Sequence, residues 1–291
     1  MRCIFAAGVY AGSCICFLFP DYAFVAAYYV RPEFRGRGIG SQLFNLVVNN
    51  KVKEGNVGLY AEPSMAPVYE EKLGFNKKAS WTAQKVQVTN IDFSKLSGLA
   101  YNFLIKDISE ISLQQLIEYD SKFAGANRES FIRSWVYERP DAASKVVINS
   151  DNEIVGYGSA HLFSIWDSPG FSPIYGDSEL VFLALFGALV EHFKEQIQRK
   201  NVVDLRIPSV QLKALRAALQ GLADIKEVSS ACNLSNALDQ HSPIWIRYYR
   251  SELVITVILS LTATIPLMFT KVVPEHDVNR IFSVSDLNMF I

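Results

Sequence analysis

Cysteine and histidine are scarce in this chain, and each scarcity removes a class of chemistry. The four cysteines, Cys3, Cys14, Cys16 and Cys232, form no Cys-x-x-Cys pair. The four histidines, His161, His192, His241 and His276, stand far apart, so no cluster has metal-ligand spacing and no metal is expected. With no disulfide framework to read, a reduced, cytoplasmic setting is the expectation. An excess of either charge is also missing. Twenty-eight basic residues against 29 acidic ones leave a net charge of −1, which gives no global field for a polyanion, and no nucleic-acid partner is expected. Core-forming material, by contrast, is plentiful: 50% of the 291 residues are hydrophobic, enough for two domains of ordinary size.

Long apolar runs are few, and two need a reading. Residues 2–19 carry one positive charge and then an apolar stretch, which imitates a short signal peptide. Pro20-Asp21 and a second apolar run follow, however, and this strand, turn, strand pattern is that of a β-hairpin. The second run, 253–269, has 17 uncharged residues between Arg250 and Lys271. That is the lower limit for a spanning helix, and Pro266 and four Ser/Thr residues weaken it. It is expected to anchor the chain to a membrane, to form a buried strand, or to be a disordered, ill-fitting tail.

Two common nucleotide patterns are absent as well. The stretch YVRPEFRGRGIGSQLF, residues 29–44, has neither the Gly-Lys-Ser/Thr of a P-loop nor the Gly-x-Gly-x-x-Gly of a dinucleotide turn. What it has is three glycines and three arginines at the junction between a strand and a helix. The apolar positions Ile39, Leu43, Leu46 and Val47 predict that helix, which is expected to run to Lys53. A glycine-rich turn at a helix start aims free amides outward, and the helix dipole adds about half a positive charge there. Gly36, Gly38 and Gly40 permit the tight backbone, and Arg35 and Arg37 supply charge, so a pyrophosphate is the expected ligand.

Downstream, residues 57–61 read as a strand. Residues 65–73 read as a helix with Ser64 as N-cap and Gly74 as its stop, and 81–88 as another strand. The pattern loosens over 89–100, where a linker is expected. Helices follow at 109–120 and 128–138, and a hairpin around Ser150-Asp151-Asn152-Glu153. A loop is expected over 167–177, then a helix over 178–199, a strand at 202–207, a helix at 209–219 and a strand near 225–234. The two halves thus repeat one order, hairpin, loop, long helix, short strand, short helix, strand. NVGLYA is followed by Glu62-Pro63-Ser64, and NVVDLRI by Pro208-Ser209. These features predict domains at 1–90 and 100–240, with a tail over 241–291.

The Arg35-x-x-Gly38-x-Gly40 spacing after AAYYV, with APVYEEKLGF some way downstream, resembles the two signatures of the GNAT acetyltransferase superfamily. The second half, through EYDSKFAGANRESFIRSW, IVGYGSA and SPIYGD, resembles the degenerate module of tandem GNAT proteins. The resemblance implies an α/β (α+β) fold of two GNAT-like domains, each a mixed, largely antiparallel twisted sheet flanked by helices. It further implies acetyl-CoA as co-substrate and acetyl transfer to a small-molecule or peptide amine, or, as an alternative, a non-catalytic module that binds CoA or a protein. Arg35, Gly36, Arg37, Gly38, Ile39, Gly40 and Ser41 would hold the pyrophosphate. Tyr28, Tyr29 and Val30 would pair with the pantetheine arm in a sheet that splays open. Tyr69 would be the general acid and Glu62 a base, with Glu33 the other carboxylate near the loop. Family members begin with a strand and two helices, so the first domain is expected to be truncated at its start. Next to the helix start at 178 the second half offers only Gly176, and no tyrosine lies over 209–219, which implies a non-catalytic partner whose Asn127, Arg128 and Tyr157 either line an acceptor pocket or serve in ordinary capping and hairpin packing.

Overall fold

A computed structural model describes residues 2–100, 103–124, 127–163, 168–228, 246–249, 252–255 and 264–284. Three antiparallel strands open the chain: β1 (Arg2–Ala6), β2 (Val9–Leu18) and β3 (Tyr22–Val30). The expected hairpin is therefore a three-stranded meander, whose first turn is made by Ala7 and Gly8, both at positive φ. Helix α1 (Ile39–Val47) ends before the expected Lys53, because Asn49 takes an N-cap role, accepts from Val52 N–H at 3.1 Å and starts α2 (Asn50–Glu54). Leu43 and Phe44 face the core, while Leu46 is exposed.

Strand β4 (Asn56–Tyr60) and helix α3 (Ala66–Leu73) come next. Met65 holds the N-cap position of α3 without a side-chain bond, so Ser64 is not its cap. Instead Glu62 O accepts from Met65 N–H at 2.8 Å and closes the turn that leads in. Gly74, at φ +79°, ends the helix as expected, and Phe75 N–H returns to Tyr69 O at 3.1 Å.

The second half supplies β5 (Lys77–Thr89), α4 (Phe93–Ala100), β6 (Leu104–Asp107), α5 (Leu113–Ala124) and α6 (Glu129–Phe131). Then follow β7 (Ala142–Ile148), β8 (Ile154–Phe163), β9 (Ser168–Gly176), α7 (Glu179–His192), α8 (Lys194–Lys200), β10 (Val203–Pro208), α9 (Leu212–Ala218) and β11 (Asp224–Glu227). Two expected coils are regular. The supposed linker holds α4, begun by Asp92, whose carboxylate accepts from Lys95 N–H. The supposed loop at 167–177 is β9, whose Pro173 is tolerated because it lies in a bulge.

Of the apolar run 253–269, residues 256–263 lie outside the described residues. Its ends belong to β13 (Glu252–Ile255), which pairs with β12 (Ile246–Tyr249), and to β14 (Thr264–Phe269). Among the described residues no helix is long and apolar enough to cross a membrane, and membrane anchoring by a helix over 253–269 is not supported. A last strand, β15 (Ile281–Ser283), ends the described chain.

The chain forms two compact units. The first comprises Met1–Leu18, Tyr22–Lys78 and Ser229–Val272. Its strands run β1-β2-β3-β4-β14, antiparallel except for the parallel pair β3/β4. Gly58 of β4 is needed there, since a Cβ would lie 2.4 Å from the Phe269 ring. Asn56 fixes the chain beyond β14, donating to Val272 O at 2.8 Å and accepting from Lys271 N–H at 3.1 Å. Cys14, Val25, Leu43, Phe44, Leu59, Tyr69, Phe75 and Met268 build the core.

The second unit comprises Phe19–Asp21, Ala79–Val228 and Val273–Ile291. Its strands run β5-β10-β9-β8-β7-β6, with β9/β10 parallel, β11 on β5 and β15 on β9. Nearly every residue of α7 from Val181 to Val190 is buried in its core. Arg128 and Tyr157 do not line a pocket. Both are fully buried around Asp120, whose carboxylate accepts from Arg128 Nε at 2.9 Å and from Tyr157 OH at 2.6 Å. Asn127 is exposed, and its side chain accepts from Glu129 N–H.

Candidate functional site

The parallel pairing of β3 with β4 stops early. Its last partners are Val25 and Leu59, yet β3 continues to Val30, so a fork opens between the two strands. On the other edge of β3, Ala26 pairs with Ile15 and Tyr29 with Ser13, which sets Ala27 and Tyr28 together opposite Cys14. This is a β-bulge, and Ala27 holds it at φ +48°, a left-handed conformation uncommon for a residue with a Cβ. Two side chains of β2 support the strained turn: Tyr10 OH donates to Ser13 Oγ at 2.7 Å, and Ser13 Oγ donates to Ala27 O at 3.3 Å. Because the Ala27 carbonyl points at β2, the N–H of the same peptide plane, that of Tyr28, points the opposite way, to the fork.

At the end of β3 the chain makes a short 3-10 turn, Pro32–Phe34, and enters α1 through Gly36 at φ +73° and Gly38 at φ +79°. Both glycines face open space and are required by backbone conformation rather than crowding. Gly40 lies against Tyr28, and a Cβ there would sit 2.7 Å from the Tyr28 hydroxyl and 3.6 Å from Val30 Cγ2, so the hydroxyl would have to move. The first backbone bond of the helix is Gln42 N–H to Gly38 O at 3.0 Å. The amides of Ile39, Gly40 and Ser41 precede it and have no acceptor within the helix. No side chain caps this end, and no acidic residue stands in its first turn.

Around that helix start the residues singled out in the sequence converge. Tyr28 and Val30 lie beneath Gly40 on one face of β3. Tyr29 lies on the other, with the Arg35 guanidinium 6.0 Å from its ring. Arg35 folds back, donating from Nε to Val30 O at 2.9 Å, and Arg37 lies over Phe34 at 5.7 Å. Ile39 packs half-buried on the core, and Ser41 is exposed. Glu33 is held in an ion pair with Arg31.

Tyr69 reaches the same place from α3. Its ring is buried, 6.5 Å from Tyr28 and 6.0 Å from Phe75. Burial pushes its phenol well above the usual range, and Tyr28, Cys14 and the half-buried Glu62 carboxylate add to the rise. It is therefore a protonated phenol at neutral pH, and Glu62 is within electrostatic reach of it. Tyr28 is raised to about 12, by burial and then Cys14. Cys14 and Cys16 are raised to about 12 and about 11, mainly by burial, so neither offers a thiolate at neutral pH. Among the described residues no group of three or more potential ligands is placed to hold a metal.

The bulge, and the Tyr10–Ser13 pair that supports it, carry no signal in the sequence. An alanine in an apolar strand gives no warning that its φ is positive. Only the register between two strands exposes the extra residue.

Residues 3–75 match the model of the acetyltransferase (GNAT) family, and residues 116–222 that of an acetyltransferase (GNAT) domain. An uncharacterized Caenorhabditis elegans protein is 26% identical over 176 residues, 58% of this chain and 56% of the relative. Holothin acyltransferase from a Pseudoalteromonas species is 23% identical over 197 residues, 66% of this chain and 60% of the relative. The chain thus spans less than two thirds of the length of both. A solved structure from Pyrococcus horikoshii, described as a candidate acetyltransferase, has the same fold: TM-score 0.63 at 12% identity, over 98% of this chain and 78% of that one. With one such match on either half, the chain belongs to the GNAT acetyltransferase superfamily and carries two of its domains in tandem.

Proposed function

We propose that the first unit binds acetyl-CoA and transfers its acetyl group to an amine. One observation carries the reading: the fork between β3 and β4 runs into the uncapped start of α1, so a single extended ligand meets both. The residues fit a pyrophosphate. Gly36 and Gly38 leave room for its oxygens, the amides of Ile39, Gly40 and Ser41 point at it, and Arg37 and Arg35 stand exposed beside it. The pantetheine arm would lie along residues 26–30. The Tyr28 N–H would then donate to the thioester oxygen, where negative charge develops as the amine attacks.

Tyr69 suits the departing thiolate, because a buried phenol held in its neutral form donates a proton rather than losing one beforehand. Glu62, just past the end of β4, would accept a proton from the amine, directly or through water. The acyltransferase activity of the Pseudoalteromonas relative supports the reaction class.

Release of free thiol from acetyl-CoA, followed across a set of small amines and peptides, tests the reading. Thiol release that depends on an amine supports transfer. Binding of acetyl-CoA without release under any amine would reduce the unit to a CoA-binding module, and absence of binding would remove the site altogether.

A further inference from the structure

The second unit repeats the fork, and there the chain fills it with itself. β9 and β10 part after Phe171 and Leu205, and β9 continues to Gly176, as β3 continues to Val30. Into this gap comes β15. Ile281 pairs with Tyr175 and Ser283 with Ile174 on one arm. On the other arm, Val284 N–H donates to Arg206 O at 2.7 Å. Ser283 Oγ lies between the arms, donating to Phe171 O at 2.7 Å, with Arg206 O at 3.3 Å. The segment is not lightly laid on. Ile281, Phe282, Ser283 and Val284 are all buried, and the Phe282 ring stacks on Phe182 of α7 at 4.8 Å and 17°.

We propose that residues 281–284 are a built-in occupant of the second unit's cofactor groove, so that the chain takes one CoA thioester and not two. The identification of the groove rests on the reading of the first unit as a CoA site. The occupation of the fork by an extended strand does not. Two further features of the second unit agree. Its bulge sets Ser172 and Pro173 opposite Ser159, so the position matching Tyr28 is a proline, which has no N–H to offer a thioester oxygen. The start of α7 is closed to an anion, since Ser178 Oγ accepts from Val181 N–H at 3.3 Å and Glu179 occupies the first turn. The groove is thus a site for an extended peptide strand, and the chain supplies that strand.

Hydrogen exchange of the full chain, read by mass spectrometry with and without saturating acetyl-CoA, tests this alongside calorimetric stoichiometry. Without ligand, the amides of residues 281–284 are expected to exchange as slowly as those of α7, the core helix they pack on. With acetyl-CoA, protection should rise over residues 26–41 and stay unchanged over 168–180 and 281–284, with one ligand per chain. In the R35E/R37E variant, remaining binding at the second unit should be nil. Fast exchange at 281–284 without ligand, or altered exchange there or over 168–180 on adding acetyl-CoA, overturns the proposal. A chain that shows slow exchange at 281–284 but no change over 26–41 retains the filled groove and loses the first-unit reading instead.

Discussion

The two units share a plan and differ at each point where a thioester would touch it. Each has a parallel strand pair that parts after a few residues, a bulge on the longer strand beyond the fork, and a helix that starts where that strand ends. In the first unit the bulge peptide has an N–H, the helix start is uncapped, and a glycine turn leads into it. In the second, Pro173 removes the N–H, Ser178 and Glu179 occupy the helix start, and β15 occupies the fork. One scaffold supports both outcomes because the fork and helix need only backbone pairing and an apolar core. On the proposed reading, binding would depend on a handful of residues at their edges.

If the second unit is structural, damage to it should appear as lost stability and not as altered chemistry. The largest effect is expected from Arg128→Met, which leaves Asp120 buried without its ion partner at a cost of about 3–5 kcal/mol. A fall in the denaturant midpoint of the second unit would register it, with acetyl-CoA affinity retained at low temperature. In the first unit the sharpest variant is Tyr69→Phe. It should lower kcat about 100-fold or more and leave the acetyl-CoA KM within about twofold, if the phenol is the acid. An equal loss in binding would make Tyr69 a packing residue only.

Acid should weaken the second unit. His161 of β8 is fully buried, and burial, with Arg139 adding, lowers its pKa to about 3. The folded state keeps this ring neutral while the unfolded chain protonates it near pH 6.5. Its contribution is therefore complete above that pH and declines as the pH falls towards about 3. By pH 5 the loss is about 2 kcal/mol, and unfolding titrations at pH 7 and 5 should show it in the second unit and lose it in His161→Asn. The smallest effect is expected from Gly38→Ala. A Cβ at φ +79° meets nothing, so only backbone strain of about 1–2 kcal/mol opposes it, read as a modest fall in both midpoint and acetyl-CoA affinity.

The sequence discloses the first unit better than the second, for physical reasons. The glycine turn, the helix start and Gly74 are local features, where one residue type meets one backbone requirement, and each is found where its residues predict it. The splitting of the helix at Asn49 is also local, but the apolar spacing through Leu46 conceals it. Features set by distant partners are not legible. Nothing in residues 167–177 shows that a strand rich in proline and glycine is held by β8 on one edge and by β10 and β15 on the other. Likewise, the apolar run ending at Phe269 has the hydropathy of a membrane segment, and only β4, some 200 residues earlier, makes its second part a sheet strand.

On the proposed reading, the open helix start of the first unit, and not that of the second, receives the pyrophosphate of acetyl-CoA. Backbone amide chemical shifts of the full chain, followed during titration with acetyl-CoA, should then change most at Gly36, Gly38, Gly40, Ser41 and Tyr28, with Gly176, Asp177, Ser178 and Glu179 unmoved. Changes at those last four residues, with the glycine turn silent, would contradict it.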